Sequence, residues 1–183
     1  TQVIPVKEQM VLDGTFPTVK SPNPENPEGF YLAVDLAKEV GSDLILGTDP
    51  DSDRVGVMVR GADGEHHTIT GNQMGVLLLD YIITARRRKG TLPENAAAIS
   101  TIVTSKMVRR ICDVNDIHFD ETFTGFKFMA EKLAEYQRDG SYQYVLAFEE
   151  SYGYMMGDYV RDKDAVTACV MITEMAAYYF EQG

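Results

Sequence analysis

Short apolar segments with the character of β-strands alternate along this chain with longer segments whose apolar residues recur at helical spacing. Strands are predicted at residues 1–9, 43–48, 54–59, 65–70, 96–103, 117–122 and 142–148. Helices are predicted at 29–40, at 71–89, after Ser105, after Gly125 and in the last part of the chain. This alternation is typical of an α/β fold, in which a layered mixed sheet is sandwiched by helices.

The pattern changes near residue 70 and indicates two units. Residues 1–70 contain a connection rich in Pro, Asn and Gly at 13–28, followed by the first predicted helix and three strands. From Gly71 a long helical pattern begins, which Gly90 ends, and Ser105 is the predicted N-cap of the next helix. We therefore expect a partial α/β domain at 1–70 and a second α/β domain at 71–183.

Composition narrows the classes of function. The 183 residues contain 17 Lys and Arg against 28 Asp and Glu, and the resulting net charge of −11 disfavours nucleic acid and anionic membranes as partners. No segment has the apolar length of a membrane span, and the first residues lack a signal-peptide pattern. Cys112 and Cys169 lie among apolar residues and are predicted to be buried free thiols. We expect a cytoplasmic protein.

Three aspartates follow the predicted strand at 43–48. In extended backbone the alternate residues Asp49, Asp51 and Asp53 would point to one side, where their mutual repulsion requires a cation. Hard oxygen ligands suit Mg²⁺ or Ca²⁺, and Mg²⁺ usually takes few protein ligands and keeps positions for water or phosphate oxygen. This spacing predicts a site in which Mg²⁺ bridges to a phosphate group.

The acidic loop has three other interpretations. A calcium EF-hand requires Gly and Glu at positions that Arg54 and Arg60 occupy here, so that interpretation fails. An aspartyl-phosphate enzyme, in which Asp49 would attack phosphorus beside Mg²⁺, stays open. A solvated acidic turn is disfavoured, because three aspartates between apolar strands are costly without a cation. Arg54 itself fits either a phosphate contact or a simple ion pair.

A second polar loop follows the predicted strand at 142–148. Glu149 and Ser151 alternate there, and a carboxylate beside a hydroxyl suits the recognition of two adjacent sugar hydroxyls. A nucleophilic Ser151 is disfavoured because the segment lacks a Gly-x-Ser-x-Gly elbow and a nearby histidine. Glu150 fits a surface or ion-pairing carboxylate as well as a functional one. A hairpin is predicted around Gly153 and Gly157.

Two basic residues are candidates for balancing phosphate charge. Lys163 follows the predicted hairpin and would return to the same sheet edge, where it would offset charge or transfer a proton. Thr124, Gly125 and Lys127 lie at a predicted helix N-terminus, which would either bind an anion or form an ordinary cap.

The four segments Thr48–Arg54, Thr124–Lys127, Phe148–Gly153 and Arg161–Asp164 together resemble the α-D-phosphohexomutases, which include phosphoglucomutases and phosphomannomutases. The resemblance spans nearly the whole chain and implies the latter part of the second domain and the third domain of a four-domain enzyme. It is most specific in the acidic loop. Members of the family move phosphate between the 1 and 6 positions of a hexose through a bisphosphorylated sugar.

The resemblance also implies roles for the polar residues. Asp49, Asp51 and Asp53 would bind Mg²⁺, which also contacts a phosphoserine, and Glu149 and Ser151 would select sugar hydroxyls. The partner molecule would be a phosphorylated sugar such as glucose 1-phosphate or glucose 6-phosphate.

Arg54 and Lys163 would support phosphoryl and proton transfer if the resemblance holds. The first-domain nucleophile motif Thr-x-Ser-His-Asn and the fourth-domain clamp Arg-x-Ser-Gly-Thr do not occur in this sequence. The family commonly has Gly where Phe148 stands. Phe at this position, followed by Ser151–Tyr154, is closest to the phosphoglucomutase and phosphopentomutase-like branch.

The resulting hypothesis is a central fragment of a Mg²⁺-dependent phosphoglucomutase-like enzyme, inactive without domains 1 and 4. Alternatives are a phosphopentomutase or phosphomannomutase of the same family, a HAD-like aspartyl-phosphate phosphatase, and a non-catalytic module that binds metal or sugar phosphate.

Overall fold

Two β-sheets organise the chain. A computed structural model describes residues 1–157 and 159–182. The strands in these ranges are β1 (Leu44–Thr48), β2 (Val55–Arg60), β3 (His66–Ile69), β4 (Ala96–Thr101), β5 (His118–Thr122), β6 (Gln143–Phe148) and β7 (Tyr154–Met155). The α-helices are α1 (Tyr31–Val40), α2 (Gly71–Lys89), α3 (Met107–Asn115), α4 (Phe126–Asp139) and α5 (Ala165–Gln182). None of these helices combines the length and apolar character that a membrane span requires.

The two sheets differ in strand direction. The first is an antiparallel meander in the order β1–β2–β3. The second has the order β5–β4–β6–β7, in which β5, β4 and β6 are parallel and β7 returns antiparallel to β6. The hairpin predicted around Gly153 is therefore present, whereas Gly157 follows β7.

Helices pack on both faces of each sheet. Alternate residues of β4 face opposite sides, so Ala96 and Ala98 join a core with α2, α3 and α5, while Ala97 and Ile99 pack with α4. In the first sheet, Ile45 and Met58 pack with α1 through Phe30 and Ala37. The prediction of a layered α/β fold is confirmed.

One hydrophobic core joins the two sheets. Val55 and Val57 of β2 are at most 1% exposed, and they belong to the same cluster of buried side chains as Leu78 of α2 and Phe148 of β6. The acidic loop before β2 and the polar turn after β6 are therefore fixed to a common interior.

Close packing against the first sheet depends on two glycines. Gly47 and Gly56 are partners in the β1–β2 register, and a Cβ on either would lie within 2.8 Å of the Phe30 ring. A Cβ on Gly56 would also collide with the carbonyl oxygen of Pro24. The absence of side chains at these positions lets the segment before α1 lie directly on the sheet.

The start of α2 is set by a capping box. The Thr70 hydroxyl accepts from the Gln73 amide, and the Gln73 side chain accepts from the Thr70 amide. The helix ends at Gly90, which adopts the left-handed conformation with φ of 66°. Ser105 is not the N-cap of α3, contrary to prediction, because Lys106 occupies that position, although the Ser105 hydroxyl accepts from the Met107 amide.

The strand predicted at residues 1–9 is wrong. Val3 is 85% exposed, and a short 3-10 turn at Lys7–Gln9 is the only regular element that the structure places there. A strand is stabilised by hydrogen bonds to a neighbour, and no described strand pairs with this segment.

Both cysteines are free, as predicted. Cys112 is fully buried, and burial raises the pKa of its thiol to about 12. Cys169 is only half-buried, and burial raises its pKa to about 11. Both thiols are therefore protonated and unreactive at neutral pH.

Candidate active site where the two sheets meet

The acidic loop is a tight turn between β1 and β2. The Ser52 amide donates to the Asp49 carbonyl, and Ser52 has a positive φ of 55°. One carboxylate oxygen from each of Asp49, Asp51 and Asp53 lies within 4.8 Å of the others. The three predicted ligands are thus brought together, although by a turn and not by the extended backbone from which their convergence was predicted.

Asp49 is the innermost of the three carboxylates, with a side chain 1% exposed. Its Oδ1 accepts from the backbone amides of Asp53 and Arg54, both at 3.0 Å, and its Oδ2 accepts from Arg54 Nε at 2.7 Å. Burial acts to raise the pKa of Asp49, but these hydrogen bonds outweigh it and lower the pKa overall. Asp49 is therefore a fixed negative charge.

Arg54 connects the acidic loop to the segment before α1. Its Nη1 lies 3.4 Å from Glu25 Oε1 and 3.5 Å from Asn23 Oδ1, while its Nε lies 3.6 Å from Asp53 Oδ1. Its side chain remains 30% exposed. The prediction left Arg54 open between an ion pair and a phosphate contact, and the geometry provides the ion pair while leaving part of the guanidinium accessible.

Lys163 reaches the acidic loop from the segment before α5. Its Nζ lies 2.9 Å from Asp53 Oδ2 and 4.8 Å from the centroid of the Phe126 ring. Burial alone would lower the pKa of Lys163, but the hydrogen bond to Asp53 and the charges of Asp162 and Asp53 raise it. Burial and the adjacent Asp49 raise the pKa of Asp53, while Lys163 opposes that change.

The polar turn after β6 positions Glu149 and Ser151. Glu149 is buried, and its Oε1 accepts from the Gly125 amide at 2.6 Å, immediately before α4. The Ser151 hydroxyl lies 3.4 Å from Glu149 Oε2. The predicted pair is thus together, and Gly125 belongs to the same cluster. Thr124 and Lys127 are exposed, and the Lys127 ammonium lies over the Phe128 ring.

Glu150 has contacts of a different kind. Its Oε2 lies 3.0 Å from the hydroxyl of Thr101, the last residue of β4, and 3.2 Å from the hydroxyl of Thr104, three residues later. The sequence left Glu150 open between a functional carboxylate and one that lies at the surface or in an ion pair. Its hydrogen bonds to two hydroxyls fit neither of the latter descriptions.

Backbone contacts join the acidic loop to the polar turn. Arg54 and Gly153 form an antiparallel bridge, and the Val55 amide donates to the Tyr152 carbonyl at 3.1 Å. The Ala165 amide at the start of α5 donates to the Ser52 carbonyl at 3.0 Å. The acidic loop, with its carboxylates and the Arg54 guanidinium, therefore lies at the same edge of the fold as the Lys163 ammonium and the Ser151 hydroxyl.

Gly153 makes room for Lys163 at this junction. A Cβ at position 153 would overlap the aliphatic part of the Lys163 side chain and would come within 3.2 Å of the Phe126 ring. The glycine that closes the hairpin therefore also allows the ammonium to reach Asp53.

Four residues of the site were not anticipated from the sequence: Asn23, Glu25, Thr101 and Thr104. Asn23 and Glu25 contact Arg54, and Thr101 and Thr104 contact Glu150. The partners in each contact are 29 to 49 residues apart in the sequence. Only the unusual length of the connection at 13–28 suggested that part of the chain was functional.

Comparison with known proteins identifies both halves of the chain. The family model described as phosphoglucomutase/phosphomannomutase, alpha/beta/alpha domain II, matches residues 1–64. The model of alpha/beta/alpha domain III of the same family matches residues 70–182.

Individual relatives are consistent with these matches. A phosphoglucomutase of Staphylococcus aureus (strain USA300) is 38% identical over 172 residues, which is 94% of this chain and 30% of that relative. This chain therefore spans about 30% of the length of the curated relatives it matches.

Solved structures share the fold. A putative phosphomannomutase of Thermus thermophilus superposes with a TM-score of 0.67 at 22% identity, covering 86% of this chain and 32% of that one. An Aspergillus fumigatus N-acetylphosphoglucosamine mutase in complex with GlcNAc-6P and magnesium has a TM-score of 0.56 at 13% identity, covering 84% and 39%.

Proposed function

This chain belongs to the phosphoglucomutase/phosphomannomutase family, and we propose that it supplies the metal site and the sugar-recognition site of a Mg²⁺-dependent phosphoglucomutase. The reaction proposed for the whole enzyme interconverts glucose 1-phosphate and glucose 6-phosphate through a phosphoserine and a bisphosphorylated sugar. The 38% identity to a curated phosphoglucomutase supports glucose as the sugar.

The convergence of Asp49, Asp51 and Asp53 carries the proposal. Three carboxylates with one oxygen each within 4.8 Å form the hard oxygen donor set that Mg²⁺ prefers, and they leave other coordination positions for phosphate oxygen. Asp49 is held ionised by its hydrogen bonds, as a ligand must be. The A. fumigatus structure with GlcNAc-6P and magnesium supports the choice of Mg²⁺.

The bound Mg²⁺ would neutralise charge on the phosphoryl group that is transferred. Arg54 would hold a phosphate oxygen with the exposed part of its guanidinium, while Asp49 and Glu25 keep the side chain in place. Lys163 would either offset negative charge beside the same group as an ammonium, or transfer its proton to an oxygen of the sugar or phosphate and become neutral.

Sugar recognition is assigned to the turn after β6. Glu149 would accept from one sugar hydroxyl and Ser151 would bond its neighbour, since the two side chains lie side by side at the sheet edge. Gly125 fixes Glu149, and Thr124 and Lys127 would contact the substrate from the start of α4.

We assign residues 1–70 to part of domain II and residues 71–183 to domain III. The nucleophilic serine and the distal phosphate clamp would come from domains I and IV, and this chain alone is expected to be inactive. The two free cysteines fit a reducing compartment, so the proposal includes a cytoplasmic location. The net charge of −11 argues against nucleic acid as a partner.

Phosphomannomutase activity is the second candidate, because the family description names phosphomannomutase beside phosphoglucomutase. Phosphopentomutase activity stays an alternative from the sequence alone. An aspartyl-phosphate phosphatase is opposed by the family match. A non-catalytic binding module would show metal binding without restoring turnover to an enzyme that lacks this region.

Metal binding is tested directly on the chain. Mn²⁺ titration followed by electron paramagnetic resonance should show one site from which Mg²⁺ displaces Mn²⁺. Asp51→Asn should weaken binding by about tenfold or more, and Asp113→Asn, an exposed change on α3, should not. Equal affinity in wild type and Asp51→Asn would contradict the proposed metal site.

Turnover is tested with glucose 1-phosphate in a coupled assay for glucose 6-phosphate. The chain alone should give no product, and product should appear only when domain I, the rest of domain II and domain IV are supplied on one polypeptide with it. Turnover by the chain alone would refute the requirement for those domains. A hydroxylamine-sensitive acyl phosphate on Asp49 would instead support the phosphatase.

A further inference from the structure

Glu150 lies between the two residues assigned to the sugar but faces a different part of the protein. Glu149 faces Gly125 and Ser151 lies beside Glu149, whereas Glu150 faces Thr101 and Thr104. The turn is therefore held on two sides by contacts from successive residues.

The two threonines provide a fixed pair of donors. Thr101 and Thr104 are 0% and 3% exposed, and their hydroxyl oxygens lie 2.8 Å apart. The Thr104 hydroxyl also lies 3.3 Å from the Thr101 amide, which donates to it. The two hydroxyl protons are shared among three short oxygen contacts, so at least one of them points to Glu150, whose carboxylate only accepts.

The turn needs such an anchor because its backbone is constrained. Tyr152 adopts a positive φ of 68°, which is unfavourable for an aromatic residue. The carbonyl of Glu150 approaches the start of α2 so closely that a Cβ on Gly71 would overlap it. Without the side-chain anchor at Glu150, the turn has fewer contacts to hold this conformation.

We propose that Glu150 is a positioning residue, which holds Glu149 and Ser151 in the geometry for sugar recognition by fixing the turn to Thr101 and Thr104. It does not itself contact the sugar. The sugar-recognition part of this inference rests on the function proposed above, whereas the anchoring part does not.

Anchoring is measured on the full chain without ligand. In Glu150→Ala, the amide hydrogen of Gly125, which donates to Glu149, should exchange with solvent about tenfold faster, as expected for weakening of one charge-assisted hydrogen bond. Thr101→Val should give the same change. Glu150→Gln retains an acceptor oxygen and should stay within about threefold of wild type.

The consequence for recognition is measured by titrating the same ¹⁵N-labelled variants with glucose 1-phosphate and following the Ser151 and Gly153 amides. Glu150→Ala should weaken binding about tenfold, and Glu150→Gln should largely restore it. Mn²⁺ affinity should stay near wild type, since a general structural defect would lower it too. The thermal midpoint should fall only modestly, through loss of the hydrogen bonds that Glu150 accepts. Glu94→Ala is the matched control, since Glu94 is exposed and precedes β4, at the opposite end of that strand from Thr101.

The outcomes separate the two proposals. Unchanged Gly125 exchange in Glu150→Ala would overturn the anchoring role, whatever the sugar does. Faster Gly125 exchange with unchanged sugar affinity would overturn the positioning role. If the wild-type chain binds no hexose phosphate, the proposed sugar site fails, and Gly125 exchange alone then decides whether Glu150 holds Glu149.

Discussion

The Nε of Arg54 lies 2.7 Å from Oδ2 of Asp49, a carboxylate that is 1% exposed. An arginine and a buried aspartate at this distance form the ion pair that closes the acidic loop. If Arg54 is removed, the buried charge of Asp49 loses its partner. Substitution of this pair should therefore lower stability more than substitution of a surface pair in the same chain.

Arg54→Met should lower the free energy of unfolding by about 3 kcal/mol, because Asp49 would keep its backbone hydrogen bonds but lose its counter-charge. Urea denaturation measures this loss. Arg60→Met is the matched control, since Arg60 pairs with Asp43 at the surface and should contribute less than about 1 kcal/mol. Equal losses in the two variants would show that burial of Asp49 does not matter.

Lys163→Met should strengthen Mn²⁺ binding about fivefold, which corresponds to about 1 kcal/mol. The reason is competition, since the Lys163 ammonium lies 2.9 Å from Oδ2 of Asp53, one of the three proposed ligands. Titration followed by electron paramagnetic resonance gives the affinity. Lys132→Met, which removes an ammonium beside Asp120, serves as the control, and weaker binding in Lys163→Met would contradict the prediction.

Gly75→Ala should destabilise the chain by about 1 to 2 kcal/mol despite the higher helix propensity of alanine. A Cβ at position 75 of α2 would overlap the ring of Phe148, which is 1% exposed, so either the ring or the helix would have to shift within the core. Thermal unfolding checks this. Gly14→Ala introduces the same group where no atom lies within 4 Å, and should change stability by less than about 0.5 kcal/mol.

Asp120 should make stability depend on pH in the acid range. Burial acts to raise its pKa, but Tyr136, Lys132 and His118 outweigh burial and lower it, and the Tyr136 hydroxyl donates to Asp120 at 2.6 Å. A lowered folded-state pKa stabilises the protein above the unfolded value of about 3.9, and this contribution disappears as pH falls through the folded pKa.

Asp120→Asn should therefore destabilise the chain near pH 7, by about 1 kcal/mol for one charge-assisted hydrogen bond. The difference from wild type should shrink as the pH is lowered from about 5 to about 2. Urea denaturation at a series of pH values gives the difference, and a gap that is constant with pH would contradict the role of the Asp120 charge.

The local parts of the site were predictable from the sequence. An apolar strand at residues 43–48 followed by alternating aspartates was enough to predict the carboxylate cluster, because strand, turn and strand are adjacent in the chain. The same holds for Glu149 and Ser151 after β6. Short-range patterning determines such features, and the capping of α2 by Thr70 and Gln73 is equally local.

The contacts that hold the site depend on packing between distant segments. Glu25 reaches Arg54 because Gly56 lets the preceding segment lie on the sheet, and Thr101 reaches Glu150 because β4 and β6 are neighbours. Neither pairing has a periodic pattern in the sequence. The strand predicted at 1–9 failed for the related reason that alternation of residue types does not reveal whether a partner strand exists.

The interior shared by Val55, Val57 and Leu78 has a consequence for how the chain responds to heat. The first sheet has only a small cluster of its own around Phe30, Ala37, Ile45 and Met58. The rest of its apolar surface is covered only by this shared interior, so the first sheet should unfold when the second does. Calorimetry should record one heat-absorption peak and not two. Order in the acidic loop and order in the polar turn would then be lost in the same event.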